Sequence, residues 1–286
     1  MKLYFVNSKI SKILSRFQND RFINPLIPLI RCTKLKQKWH GNCSDPAREI
    51  MLVGFRFAPT HPTKNSKDKT MKDKHKLPFG QIEYRHLEEL VDITEIIDYT
   101  VFDDWFNFNY TLNPEEENFL QELLDDNIRF LDSYSEEELK AQLIIPLINK
   151  VKFFHNGVRG WYERPLKGII NGTLLHGKTD YMVARGIETP KQPYFFIQEY
   201  KKELGDRPPK NPLLAEMMVA MQLNQENLMR GAFVISRLWN FVILKKISDN
   251  KYEYFRSPDF NVIKIQELKQ IYINLQAIKN ICLNQN

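Results

Sequence analysis

Residues 174–186 read LLHGKTDYMVARG and residues 193–202 read PYFFIQEYKK. Both are rich in β-branched and aromatic residues, and Gly186 and Pro190 stand between them, so they read as two neighbouring strands. Side chains two apart on a strand share a face. Glu199 and Lys201 therefore point the same way, and Asp180 lies on the preceding strand, where the connection brings it alongside. Two other Glu-x-Lys triplets occur, Glu138-Leu139-Lys140 and Glu267-Leu268-Lys269. Those fall in helical patterns, where residues i and i+2 diverge. The apolar run YFFI ahead of Gln198 makes the second strand central and buried. Acids buried beside a lysine are costly unless compensated. Asp180, Glu199 and Lys201 thus read either as a structural ion pair or as a divalent-cation site.

The flanking sequence builds outward from this pair. WYERPLKGIIN (161–171) reads as a third strand. SEEELKAQLIIPLINKVKFF (135–154) reads as a helix, capped by Ser135 with Glu138 three residues later and kinked by Pro146. Downstream, PLLAEMMVAMQLNQENLM (212–229) is a helix whose first half is almost wholly apolar, hence buried. GAFVISR, LWNFVILKKI and KYEYFRS follow as strands. A last amphipathic helix buries Leu268, Ile271, Leu275, Ile278 and Cys282. This order gives an α/β fold, one mixed sheet flanked by helices.

Charge divides the chain further. Residues 1–77 carry 17 Lys+Arg against 5 Asp+Glu, residues 78–139 carry 2 against 18, and residues 140–246 carry 17 against 8. The first block has no apolar periodicity and reads as a disordered basic tail or as sequence upstream of the working chain. Residues 78–134 read as an acidic helical extension, a solvated face or a mimic of DNA charge. Residues 135–286 read as the α/β domain. Cys32, His40, Cys43 and His61 have spacings that fit no usual zinc pattern. Three cysteines give no disulfide framework. No run approaches the ~20 apolar residues of a membrane helix, and lysines interrupt the N-terminal apolar runs. A soluble, cytoplasmic protein is expected.

Gly172-Thr-Leu-Leu-His-Gly177-Lys178-Thr179 matches the GxxxxGK[ST] phosphate-loop pattern. That loop works only ahead of a helix whose amides complete the cradle. Here only six residues separate Thr179 from Gly186, and their composition is that of a strand. Strand geometry is therefore expected at Lys178, with an ATPase as the least favoured function.

From Ser135 to Leu244 the arrangement resembles the PD-(D/E)xK nuclease superfamily, the restriction-endonuclease-like fold. It is similar to stand-alone bacterial members and to the nuclease domain of type I restriction R subunits. Asp180 in GKTDYMVA and Glu199-x-Lys201 in FFIQEYKK resemble the central acids and lysine. Glu138, ahead of Pro146, resembles the acid of the first helix. Gln222 in AMQLN resembles the glutamine of the next helix, and GAFVISRLWNFVIL resembles the hairpin that follows it. Thr179 stands where many members have proline.

The resemblance implies a Mg²⁺- or Mn²⁺-dependent nuclease acting on DNA in a restriction, repair or mobile-element context. Asp180, Glu199 and Glu138 would hold metal, Lys201 would orient water or stabilise the transition state, and Gln222 would act from outside. Arg164, Lys167, Lys178, Arg185, Lys202, Arg207 and Lys210 are candidate phosphate contacts. A homodimer is a possible assembly. The alternative is an inactive nuclease-like module that binds nucleic acid or protein.

Overall fold

The computed structural model describes residues 75–203 and 208–284. The basic tail up to residue 74, with Cys32, His40, Cys43 and His61, and also Arg207 lie outside the described residues. No helix among the described residues is long and apolar enough to cross a membrane.

The chain begins with a short strand, β1 (Lys76–Pro78), then α1 (Tyr84–Leu90), β2 (Asp92–Glu95), α2 (Asp103–Phe106) and α3 (Pro114–Asn127). Next come α4 (Glu136–Leu139), a π-helical stretch (Lys140–Ile144) and α5 (Ile145–Val151), in continuous succession. Pro146 cannot donate to the carbonyl four residues back, and the turn ahead of it is widened into the π form. Three long strands follow, β3 (Val158–Ile170), β4 (Thr173–Arg185) and β5 (Lys191–Lys201). After α6 (Lys210–Asn224) the chain makes β6 (Leu228–Ile235), β7 (Leu238–Ser248), β8 (Lys251–Arg256) and the two-residue β9 (Phe260–Asn261), closing with α7 (Ile265–Asn284).

The strands form one large mixed sheet with helices on both faces. Phe196 and Tyr200 of β5 enter the core under α2 to α5 and α7, while Ile197 enters the core under α6 and α1. Every residue of α6 from Asn211 to Met221 is buried, so this helix is covered all round. The apolar stripe of α7, including Leu268, Ile271, Leu275, Ile278 and Cys282, is buried as its periodicity requires.

Residues 78–134 are not a purely helical appendage. β1 pairs in parallel with β4, β2 pairs in parallel with β8 at the far side of the sheet, and Leu120, Leu123 and Leu124 of α3 belong to the main core. Val91, Ile93 and Thr94 supply the β-branched content that the surrounding acids obscure.

The pairing around β4 creates the feature on which the site depends. A strand has two edges, and β3 covers one of them along its whole length, from Val158↔Arg185 to Ile170↔Thr173. β1 and β5 therefore share the other. β1 covers Leu174–His176 and β5 covers Tyr181–Arg185. Between them Phe79 packs against Gly177, with no room for a Cβ there, and residues 178–180 face no paired strand. β5 meanwhile continues beside β6 as far as Lys201↔Ile235. β4 and β5 thus part just beyond Tyr181↔Gln198.

Candidate active site

Asp180 stands at that parting. Its register neighbours are fixed by the pairs on either side: Tyr162↔Tyr181 and Arg164↔Thr179 put Glu163 opposite it on β3, and Tyr181↔Gln198 puts Glu199 beside it on β5. Three carboxylates therefore lie abreast across three strands, an arrangement that repels itself unless compensated. Ladder pairing skips the row, and Glu163 holds a φ of 51°, in the left-handed region that non-glycine residues rarely adopt.

Side chains replace the missing ladder bonds. Tyr200 N–H donates to Asp180 Oδ2 at 2.9 Å, and Asp180 N–H donates to Glu199 Oε1 at 3.4 Å. On one side of the sheet Lys140, from the π-helical stretch, reaches Asp180 Oδ1 at 3.3 Å and Glu136 Oε1 at 3.2 Å. Its ammonium also lies 5.8 Å from the centre of the Tyr200 ring. Burial works against the Lys140 charge, yet Asp180 and Glu136 more than offset it and raise its pKa. Lys201 lies nearer the surface, with its Nζ 3.5 Å from Glu136 Oε2.

On the other side α6 presents Glu216, which is wholly buried. Neither of its oxygens has a donor among the described residues. It faces the Glu199 carboxylate, so a hydrogen bond joins the two only when one carries a proton. Burial, then the charge of Asp180, pushes Glu199 up to about 8, and burial, then the charge of Glu199, raises Glu216 well above the usual carboxylate range. Glu163 is raised by burial and by Asp180.

Asp180, Glu199 and Lys201 are thus brought together. Glu138 is not with them: its carboxylate accepts Ser135 N–H at 2.7 Å and closes the capping box at the start of α4. The acid of that helix that faces the cluster is Glu136, two residues earlier. Gln222 is also elsewhere. It lies six residues beyond Glu216 on α6, roughly 9 Å along the axis, and donates to Ile169 O at 2.7 Å. Glu216, Glu163, Glu136 and Lys140 are the members that sequence reasoning missed. A lone acid within the apolar first half of α6 was the available signal for Glu216.

The candidate phosphate contacts scatter. Lys167 and Lys178 are exposed on β3 and β4, and the Arg164 guanidinium lies over Trp161 at 5.3 Å. Arg185 closes β4, half-buried. Lys202 bonds the carbonyls of Leu131 and Asp132, both at 3.0 Å, and Lys210 bonds Glu95 and the Tyr254 hydroxyl. Those two lysines tie elements together. Lys178 lies within strand β4 opposite Pro165, and no helix begins there to complete a phosphate loop.

Among the described residues no three carboxylate, histidine or cysteine groups stand close enough to chelate a metal ion as they are arranged. The donor set nevertheless suits a hard divalent cation. It consists of carboxylate oxygens, two of which are buried and orphaned on Glu216. Lys140 and shared protons carry the compensating charge in this state. Neither a scan of protein-family models nor a search of curated proteins finds a match to the chain.

Proposed function

We propose that this chain is a Mg²⁺- or Mn²⁺-dependent nuclease with a restriction-endonuclease-like fold, hydrolysing phosphodiester bonds of DNA in the cytoplasm. A restriction, repair or mobile-element setting fits that chemistry, with one strand cut by a single copy or both by a homodimer. The observation that carries the reading is the join of Asp180 to Glu199 at the parting of β4 and β5, above the orphaned carboxylate of Glu216. A structural ion pair has no need of a third buried acid that is tolerated only by holding a proton.

Asp180, Glu199 and Glu216 would hold the cation. When bound, it supplies polarisation of a phosphoryl oxygen and acidification of a water. The chain's own groups do the rest. The Tyr200 N–H fixes the orientation of Asp180. Glu199 and Glu216 hold a proton between them that must leave as their full charge is called upon. Lys201, at the mouth with its side chain 41% exposed, offers positive charge to the attacking water and to the oxygens of the pentacovalent phosphorus. Water adds to phosphorus and gives up a proton to solvent, the bond to the leaving deoxyribose oxygen breaks, and that oxygen takes a proton from solvent.

A second reading has its own support: Lys140 on Asp180 resembles the permanent neutralisation of a non-catalytic module that only binds nucleic acid. The two separate in a plasmid assay with Mg²⁺, Mn²⁺ or EDTA, using wild type, Asp180→Asn and Lys178→Ala. Metal-dependent nicking that disappears in the Asp180 variant supports the nuclease. Binding without cleavage in either metal supports the module, and ATP turnover abolished by Lys178→Ala would overturn both.

A further inference from the structure

Between Glu163 and Asp180 the chain carries no acid: residues 164–179 read RPLKGIINGTLLHGKT. They form the half of β3 and β4 that runs on beyond the acid row, with β1 alongside. One face of this three-stranded ribbon is closed. Leu166, Ile170 and Leu175 are buried on it, and Gly168 lies against Val219 of α6 as Gly177 does against Phe79, with no room for a Cβ at either glycine.

Alternation sends the intervening residues outward. Register places Lys178 beside Pro165, Lys167 beside His176, and Lys76 beside Leu174. The three lysines are exposed, and none has a side-chain ion pair or hydrogen bond with a described residue. Their β4 positions, 178, 176 and 174, precede Asp180 by two, four and six residues. The cations are therefore stepped along β4 at about 7, 14 and 20 Å from Asp180. The nearest is close enough for its charge to act on the Glu163 carboxylate. A lysine that only deters strand pairing belongs on an outer strand, and Lys178 is on the strand between two.

We propose that this outward face is a track for the phosphate backbone of a nucleic-acid strand, which it carries over Lys76, Lys167 and Lys178 to the acid row. Steps of about 7 Å match every second phosphate of a B-form strand, where phosphates follow at about 3.4 Å along the axis. Pro165, Ile169 and Leu174, interleaved with the lysines, offer no hydrogen bond to a base edge, so the track is blind to sequence. Its continuity with the acid row selects nucleic acid over other polyanions. That the strand is a substrate rests on the nuclease reading; the track itself rests on the register and the free charges.

The test is binding of the full-length protein in EDTA to a fluorescein-labelled oligonucleotide duplex, by anisotropy over a range of salt concentrations. Lys76→Gln, Lys167→Gln, Lys178→Gln and the triple variant are compared with Lys251→Gln, which removes a charge from an exposed position at the start of β8. Each track variant should reduce the slope of log K against log salt by about 0.9, and the triple variant by about 2.7. Lys251→Gln should leave the slope unchanged. Lysine acetylation read by mass spectrometry should show Lys76, Lys167 and Lys178, but not Lys251, losing reactivity as duplex is added. A slope unchanged in the triple variant, or three lysines that stay reactive, overturns the track even if the protein nicks DNA. Equally tight binding of polyglutamate with the same protection overturns the assignment to nucleic acid. Protection and a reduced slope in a protein that never cleaves in Mg²⁺ or Mn²⁺ uphold the track and discard the nuclease.

Discussion

Lys140 Nζ stands 3.3 Å from Asp180 Oδ1, a cation from the helical layer placed on the acid at the centre of the sheet. It is the group best placed to neutralise Asp180 whenever no metal does so. Replacing it with methionine keeps the packed stem and leaves Asp180 and Glu136 uncompensated. The loss should be about 1–3 kcal/mol in EDTA, below the range for fully buried pairs because Glu136 is partly in water. A saturating divalent cation should recover much of it. Thermal melts of Lys140→Met with EDTA and with Mg²⁺ decide this; an equal fall in both conditions would show that Lys140 is no substitute for the ion.

Asp180→Asn tests the centre of the row. The amide keeps the shape and still accepts the Tyr200 N–H, so the fold should survive. The charge that binds a cation is gone, and cleavage should drop by at least about 100-fold. Plasmid nicking, read beside the near-ultraviolet dichroism of the same sample, distinguishes lost chemistry from lost structure.

Glu199 and Glu216 set a pH dependence of definite sign. Both are raised above their unfolded values by burial, Glu199 to about 8. From about pH 5 to 8 the folded protein therefore holds protons that the unfolded chain has released. Stability is greatest at the acid end of that window and declines as pH rises, by about 1.4 kcal/mol per unit for each such group. A divalent cation competes with those protons, so its stabilising effect should grow from pH 6 to pH 8. Chemical denaturation across that range, with and without Mg²⁺, reads both trends. Stability in EDTA that rises with pH would contradict the buried, proton-sharing pair.

The parts of this arrangement differ in how far the sequence disclosed them. Asp180, Glu199 and Lys201 were legible because period-2 geometry is local: a strand pattern is enough to put i and i+2 on one face. Strands β3 to β8 and the buried nature of α6 followed from composition in the same way. What brings Glu216 and Lys140 to the row is the packing of α6 and of the π-helical stretch on opposite faces of the sheet, and no local pattern encodes that. Glu138 and Glu136 illustrate the limit closely. A helix rotates about 100° per residue, so two positions decide between capping the first turn and facing Lys201. β1 and β2 escaped notice because strands of three and four residues carry too little alternation to show.

Glu216→Gln should separate stability from binding. The amide is neutral and gives Glu199 a donor without needing a proton, so in EDTA at pH 8 the variant should be at least as stable as wild type. It should nevertheless bind Mg²⁺ at least about tenfold more weakly, judged by the metal concentration needed to raise the melting temperature. A variant that is destabilised in EDTA, with metal response intact, would mark Glu216 as a structural acid.

The last comparison sets Glu136 against Glu138, two acids of one helical turn. Glu136 bridges Lys140 and Lys201, at 3.2 and 3.5 Å, whereas Glu138 is occupied with Ser135 at the helix start. Glu138→Gln retains a side chain able to complete a capping box, so stability and cleavage should both stay near wild type. Glu136→Gln removes the carboxylate that holds the two lysines, freeing Lys140 to remain on Asp180 and Lys201 to swing from the mouth. Cleavage should fall by about tenfold or more while the melting temperature changes little, since Glu136 is partly solvated. Parallel rate and melting measurements on the pair are decisive. If Glu138→Gln proves the slower enzyme, α4 is rotated in the working state and the first-helix acid belongs to position 138 after all.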